Sequence, residues 1–419
     1  AKAREAVAKD VPRSERSGHP RWVAVREVKA TGELVPVPSF ENTRIAIRAL
    51  GVETRHDVFH DRKLVGGHAI GRHVGELSDA ACLYLRSLIF EAFGWEPKKM
   101  DVNDAVVSLC IEGRFDPVRD YLDGLEWDGT PRLDAFAPIY LLTDDDALNR
   151  AIGRKTLIAA VRRVRQPGCK FDYVPVLEGP QGCGKSTAVR ILAGDDNFSD
   201  KGILHLEDRA QQEAMKGVWL YELAELAGLS KRDTNRLKAF LSQQDDRGRA
   251  AYERFSVSDK RRGIFVGTTN DSEYLIDPTG NRRFWPMVVG DIDLFALRRD
   301  RDQLWAEAAK AESDGEPLVL PEHLWGAMEE RQRQRLQGGD WAEVLATLKP
   351  MLVGNEERMT AEECYRKLDI PASRLNDYRI GTHLERAMAS LGFKRRKIRV
   401  GPRTVWGFVR PVRQPELPF

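Results

Sequence analysis

The chain has 419 residues and a mass of 47.4 kDa, which at roughly 150 residues per domain is the length of about three domains. Its 66 Lys+Arg against 64 Asp+Glu leave a net charge of +2, so bulk charge argues neither for nor against a nucleic-acid partner. Five cysteines (Cys82, Cys110, Cys169, Cys183 and Cys364) form no CxxC pair and no even framework, which excludes a zinc ribbon or a disulfide-stapled secreted scaffold and predicts a reducing cytoplasm. No apolar run reaches the roughly 20 residues that cross a bilayer, and AKAREAVAKD lacks the apolar core of a signal peptide. A start at Ala1 rather than Met fits either a segment of a longer polypeptide or a tag remnant.

Residues 1–20 read as a polar, frayed tail. From Trp22 the pattern changes: WVAVREV and LVPV read as paired strands, ENTRIAIRAL as a helix, VETRHDVFHDRKLVGG as a second hairpin, and DAACLYLRSLIFEAF as an amphipathic helix capped by Ser78. These make a small α+β domain over 21–115. Residues 116–165 read as a structured connector, FDPVRDYLDGLEWDGTPRLDAF, followed by a helical lead-in. A core spans 166–315, a helical linker rich in Arg, Gln and Glu spans 316–354, and a final unit spans 355–411. In that unit MTAEECYRKLDI, a short piece around SRLND, and GTHLERAMASLGF read as three helices, ahead of strands KRRKIRV and TVWGFVR joined by GPR. That is the order of a winged helix.

The chemistry begins at Gly179. Gly179, Pro180, Gln181, Gly182, Cys183, Gly184, Lys185 and Ser186, with Thr187 behind them, match GxxxxGK[ST] after the apolar run YVPVL and before the helical TAVRIL. Glycines let backbone amides point at phosphate oxygens, and the following helix directs its positive end at them. Lys185 is expected to reach the β and γ phosphates of ATP, and Ser186 to offer its hydroxyl to Mg²⁺. A phosphate loop needs an acidic partner, and the buried run VWLY sets Glu222 at the carboxyl end of a strand, where open parallel sheets expose their ligands. Glu225 either polarises the attacking water or is a solvated carboxylate. A third apolar run, GIFVG, closes on Thr268, Thr269 and Asn270, whose amide suits a sensor of the γ phosphate. Arg282 and Arg283, adjacent in TGNRRFWP, suit a charge-stabilising finger for a neighbouring subunit or, alternatively, surface ion pairs. The core is thus expected to be a three-layer α/β fold around a mostly parallel sheet.

These segments in this order, FDPVRDYLDGLEWDGTPRLD, VLEGPQGCGKST, GVWLYELAEL, GTTNDSEYLIDPTGNRRFWP and DQLWAEA, resemble the virulence-associated protein E family over roughly residues 110–310. That family occurs in prophages and mobile islands, and its core is similar to superfamily 3 helicases of the AAA+ class. The resemblance implies a P-loop NTPase core and a ring-forming, DNA-dependent ATPase, a hexamer, that works in element replication and often beside a primase domain. In the helicase class two adjacent acids end the acidic strand; here Leu223 follows Glu222 and the next carboxylate is Glu225. That class also carries a DNA-contacting hairpin between the acidic and sensor strands. The equivalent stretch makes Lys238, Arg247, Arg249, Arg254, Lys260 and Arg261 either pore contacts or a solvated charged loop.

Residues 355–413 carry 14 Lys+Arg against 7 Asp+Glu, a local +7 that leaves −5 for the rest of the chain. Lys394, Arg395, Arg396, Lys397 and Arg399 lie on one hairpin with Arg403 in its turn, the place of a wing that contacts DNA phosphates or a protein partner. Trp406 is expected in the core rather than as a base-stacking platform. His56, His60, His68 and His73 lie in one stretch but read as surface polar residues, with no metal expected beyond Mg²⁺. The function expected is a DNA-dependent ATPase, with a replicative helicase and an ATP-switched initiator or loader as the two forms. A small-molecule kinase is disfavoured by the chain length and the basic hairpin.

Overall fold

In the computed structural model, which describes residues 6–7, 20–203, 206–224, 226, 231–243, 245–248, 257–275, 281–336, 339–370 and 378–412, the chain divides into units 1–124 and 125–419. In the first, β1 (Ala6–Val7), β2 (Ala24–Glu27) and β3 (Leu34–Pro36) form an antiparallel sheet. Asn42, buried in the first turn of α1 (Phe40–Ala49), ties that sheet to the helix. Its Oδ1 accepts from Val23 N–H at 2.9 Å, and its Nδ2 donates to the carbonyls of Ala24 at 2.7 Å and Val37 at 2.8 Å. A polar side chain can be buried here because both ends of the amide are satisfied.

The second hairpin, β4 (Glu53–Asp57) and β5 (Arg62–Gly66), is extended by β6 (Gly75–Glu76) and, parallel to β4, by β7 (Arg114–Phe115). Helices α2 (Asp79–Phe93) and α3 (Lys99–Glu112) close the core with Ile47, Leu85, Ile89 and Val106. Ser78 caps α2 by accepting from Ala81 N–H at 3.2 Å. The histidines do not converge: His60 pairs with Asp57 at 2.6 Å, His56 with Asp61 at 3.1 Å, and His73 packs on the Tyr84 ring. Helix α4 (Pro117–Asp123), capped by Asp116, ends the unit.

The second unit opens with α5 (Phe136–Tyr140) and α6 (Ala147–Arg165). The chain then runs β8 (Val174–Glu178), α7 (Lys185–Ala193), β9 (Phe198–Ser199), α8 (Asp208–Met215), β10 (Leu220–Leu223) and α9 (Lys231–Leu241). An antiparallel pair, β11 (Asp245–Gly248) and β12 (Val257–Lys260), precedes β13 (Ile264–Thr269), β14 (Phe284–Val288) and α10 (Leu294–Ser313). Five strands pair in the order β14-β8-β13-β10-β9, all parallel. A parallel sheet is covered on both faces, so its strands must be apolar throughout. Every residue of β8, β10 and β13 is buried accordingly. Two indoles packed at a tilt, Trp219 and Trp305 (centroids 4.3 Å apart, planes 31° apart), fasten this sheet to its helices, donating from Nε1 to Ala160 O and Leu192 O, each at 3.0 Å. Helix α6 is clamped to α10 by Arg162 and Arg165 on Glu312.

Helix α11 (Trp325–Arg333) returns to the sheet, and the turn behind it sets Arg335 against Glu178, the last residue of β8. Arg335 donates to Glu178 through Nη2 at 2.8 Å and Nε at 3.0 Å, and the Tyr274 hydroxyl donates to the same carboxylate at 2.8 Å. Burial, and then the adjacent Glu178 charge, push the Tyr274 phenol well above its ordinary value, so it stays a neutral donor.

Helix α12 (Gly339–Ala346) leads into β15 (Met351–Val353), β16 (Glu356–Thr360), α13 (Ala361–Lys367), α14 (Tyr378–Ser390), β17 (Lys394–Val400) and β18 (Arg403–Pro411). The four strands make an antiparallel sheet ordered β15-β16-β18-β17. This corrects the expected helix at Met359, which is the inward residue of a strand. The helix starts at Ala361 because Thr360 and Glu363 form a reciprocal capping box. The expected helix around SRLND lies at residues 373–377, outside the described residues. Trp406 is also corrected: it is 50% exposed, because the core on its face takes Phe408, two residues on, and stops short of the indole. No helix among the described residues is long and apolar enough to cross a membrane.

The Glu178–Arg335 pair generates a stability prediction. Arg335→Ala leaves a buried carboxylate without its counter-charge and is expected to cost about 3–5 kcal/mol. Denaturant unfolding of the single variant and of Glu178→Gln/Arg335→Ala checks this, the double variant being the more stable of the two.

Candidate functional site

The loop 179–184 leaves β8 between its neighbours β14 and β13, at the carboxyl edge where strand order reverses and open parallel sheets take their ligands. Two glycines make its path possible. Gly182 (φ 86°) and Gly184 (φ 93°) occupy the left-handed region, and open space surrounds Gly182, so chain or ligand can approach its backbone closely. The loop is braced where Gly179 N–H donates to Thr269 O at 3.2 Å and Ile292 N–H to Cys183 O at 3.1 Å. Helix α7 begins at Lys185 with its unsatisfied amides facing the loop, an arrangement that favours an anion.

Lys185 is buried, and its ammonium is folded back into the loop. Nζ donates to Gly179 O at 2.7 Å, Pro180 O at 2.8 Å and Asn270 Oδ1 at 3.0 Å. The loop lysine and the amide at the end of β13 thus meet directly. Gln181, Ser186 and Thr187 are exposed at the rim.

Glu222 stands on β10 only 2% exposed. Its Oε1 accepts from Ser186 Oγ at 2.6 Å and from Thr268 Oγ1 at 2.7 Å, while its Oε2 is buried with no hydrogen-bond partner. An unsatisfied buried carboxylate oxygen is costly unless a cation or donor meets it. A carboxylate and a hydroxyl side by side form the hard oxygen set that suits Mg²⁺, so the residues present fit that ion. Glu225 lies outside the described residues.

The arginine pair falls elsewhere. Arg282 and Arg283 precede β14, whose first residue pairs with the first of β8, so they sit at the amino edge of the sheet. Five strand residues at about 3.3 Å each put them about 16 Å along the strands from the loop's edge, too far to act on it within one chain. Arg283 donates to Ser242 Oγ at 2.8 Å and faces Asp172 at 3.7 Å, whereas Arg282 is exposed.

The expected pore contacts divide. Lys238 and Arg261 are both buried, and Arg261 donates to Phe240 O at 2.9 Å with its guanidinium 4.5 Å from the Phe240 ring centroid, which uses it for packing. Lys260 is exposed at the end of β12, Arg247 lies on β11, and Arg249 and Arg254 fall outside the described residues. On the carboxy-terminal hairpin Lys394, Arg395, Arg396, Lys397, Arg399 and Arg403 are all exposed. Arg395 pairs with Glu385 at 3.3 Å and Arg396 with Glu356 at 2.8 Å.

Two contacts of the site escape a reading by motif. Thr268 is the second hydroxyl on Glu222, and its signal is a polar residue inside an otherwise apolar buried strand beside the acid-bearing one. Glu178, one residue before Gly179, is held by Arg335 from about 157 positions away, a partnership that no local pattern carries.

Comparison with known proteins gives a family and a set of structures. The model of the virulence-associated protein E-like domain matches residues 122–337, just over half of the chain. No curated protein matches it. The similar solved structures include the apo structure of the NrS-1 C-terminal region (12% identity, TM-score 0.46, 87% of this chain and 98% of that one) and an A form apo structure of the same region (12%, 0.45, 87% and 98%).

Removing the Thr268 hydroxyl tests the packing of the carboxylate. Thr268→Val takes one of two donors from a buried acceptor and is expected to destabilise the second unit by about 1–3 kcal/mol. Thr268→Ser restores most of it, as read by thermal unfolding.

Proposed function

The chain belongs to the virulence-associated protein E-like family, and from that membership and the loop–carboxylate geometry we propose that it is a DNA-dependent ATPase of phage or mobile-element replication. Its second unit is a P-loop core of the AAA+ type, its carboxy-terminal hairpin the wing of a winged helix, and its assembly a hexameric ring that translocates as a helicase. The observation that carries this reading is the buried Glu222, whose one oxygen holds the Ser186 and Thr268 hydroxyls while the other stands unpaired.

Residues 179–187 hold the phosphates of ATP, with backbone amides and the α7 terminus opposing their charge. Lys185 leaves its carbonyl partners for the phosphate oxygens, because an ammonium gains more from a phosphate than from neutral acceptors. Ser186 and Glu222 would hold Mg²⁺, which when bound would offset phosphate charge. Asn270, already within reach of Lys185, and Glu225 orient the attacking water. Arg282, exposed at the opposite edge of the sheet, serves the site of the next subunit, which requires a head-to-tail ring. Arg283 holds it in place from Asp172 and Ser242. The exposed basic hairpin contacts DNA phosphates, and a primase domain or protein is the expected companion.

Lys185→Ala is expected to lower ATP turnover about a hundredfold or more while the chain still folds, as read by circular dichroism. Turnover at the wild-type rate would overturn the reading. Glu222→Gln is expected to bind ATP and hydrolyse it slowly. Arg282→Ala subunits are expected to be inactive alone and to regain activity when mixed with Lys185→Ala subunits, since in a mixed ring each supplies what the other lacks. With subunit exchange verified, absence of rescue would contradict a shared site, and hydrolysis by the wild type without displacement on a forked substrate would make the protein a switch rather than a helicase.

A further inference from the structure

Trp406 is the feature of the carboxy-terminal sheet that its packing does not explain. The indole is 50% exposed, while Phe408, two residues along the same face of β18, is 2% exposed and belongs to the core. The pairing of β17 with β18 sets Lys397 directly opposite Trp406 and Arg395 opposite Phe408. Both cations lean over the ring, with Arg395 Cζ 4.7 Å and Lys397 Nζ 5.4 Å from its centroid. Arg399 continues the same face, and no acidic residue occurs from Lys394 to Pro411. A half-exposed tryptophan set among guanidinium and ammonium groups offers a π-face and phosphate-binding charge at one place.

We infer that Trp406 is a base-stacking residue, and that Arg395, Lys397 and Arg399 hold the backbone of the same strand, so that the hairpin grips single-stranded DNA rather than duplex. The inference rests on the DNA reading above and narrows it. Bases in a duplex are stacked on one another and present edges, whereas an unpaired strand presents π-faces, which an indole takes without regard to sequence. Arg395 and Lys397 already in cation–π contact hold the ring in place before a base arrives, which lowers the entropic cost of stacking.

The test uses the full chain and fluorescence anisotropy with an oligo-dT strand and a duplex of equal length, over a range of salt. Trp406→Ala is expected to weaken single-strand binding roughly tenfold or more, to leave duplex binding unchanged, and to keep the wild-type slope of log K against log salt because no phosphate contact is lost. Trp406→Phe is expected to keep most of the affinity. Single-strand binding by Trp406→Ala at the wild-type level, or equal losses for strand and duplex, would overturn the inference. The underlying reading is separated by Lys394→Glu/Lys397→Glu. If that variant binds both DNAs like the wild type with an unchanged salt slope, the hairpin is not a DNA surface at all. If it weakens both while Trp406→Ala weakens neither, the DNA reading stands and the stacking inference falls.

Discussion

A carboxylate buried at 2% exposure with one oxygen unpaired is the constraint around which the second unit is organised. Burial of an ionised group is tolerated where donors surround it. Glu222 receives two, one from the first turn of α7 and one from the end of β13, so the hydrogen bonds that satisfy its Oε1 also bind the helix after loop 179–184 to two strands of the sheet. The all-parallel arrangement makes this possible, since it delivers the ends of β8, β10 and β13 to one edge.

The same edge is supported from behind by a second buried charge. Glu178 ends β8 immediately before the loop, and its pairing with Arg335 and Tyr274 fixes where the loop departs. Arg335 comes from the segment that follows α11, so the chain leading to the carboxy-terminal sheet is anchored within one residue of loop 179–184. Arg331, one turn earlier, adds bonds to Asp146 at 2.8 Å and Asn149 at 2.6 Å at the start of α6. Any movement of the loop is therefore mechanically joined to the linker, through charges whose separation in a buried setting is expensive.

What could be read from the sequence was what short-range pattern encodes. Apolar runs of four to six residues at β8, β10 and β13, each closing on a polar group, were visible because a doubly covered parallel strand must be apolar along its length. The glycine spacing of the loop was visible because left-handed backbone demands glycine. Pairings over long separations were not. Nothing local joins Arg335 to Glu178, and nothing marks Lys238 and Arg261 as interior residues in a stretch dense with charge. Register decided the rest: Met359 reads equally as helix or strand until β16 is paired with β18, and Trp406 reads as core until Phe408 is seen to take that place. The position of the arginine pair was not legible, since only the parallel pairing of β14 with β8 sets it at the far edge of the sheet.

The account turns on whether the loop is a phosphate cradle that Lys185 occupies in the absence of nucleotide. A structure with Mg²⁺ and a nonhydrolysable ATP analogue measures this directly. The account predicts phosphate oxygens on the amides of residues 179–187, Lys185 Nζ withdrawn from the carbonyls of Gly179 and Pro180, and the metal beside Ser186 and the unpaired oxygen of Glu222. An analogue bound elsewhere, with Lys185 still on those carbonyls and Glu222 unchanged, would contradict it.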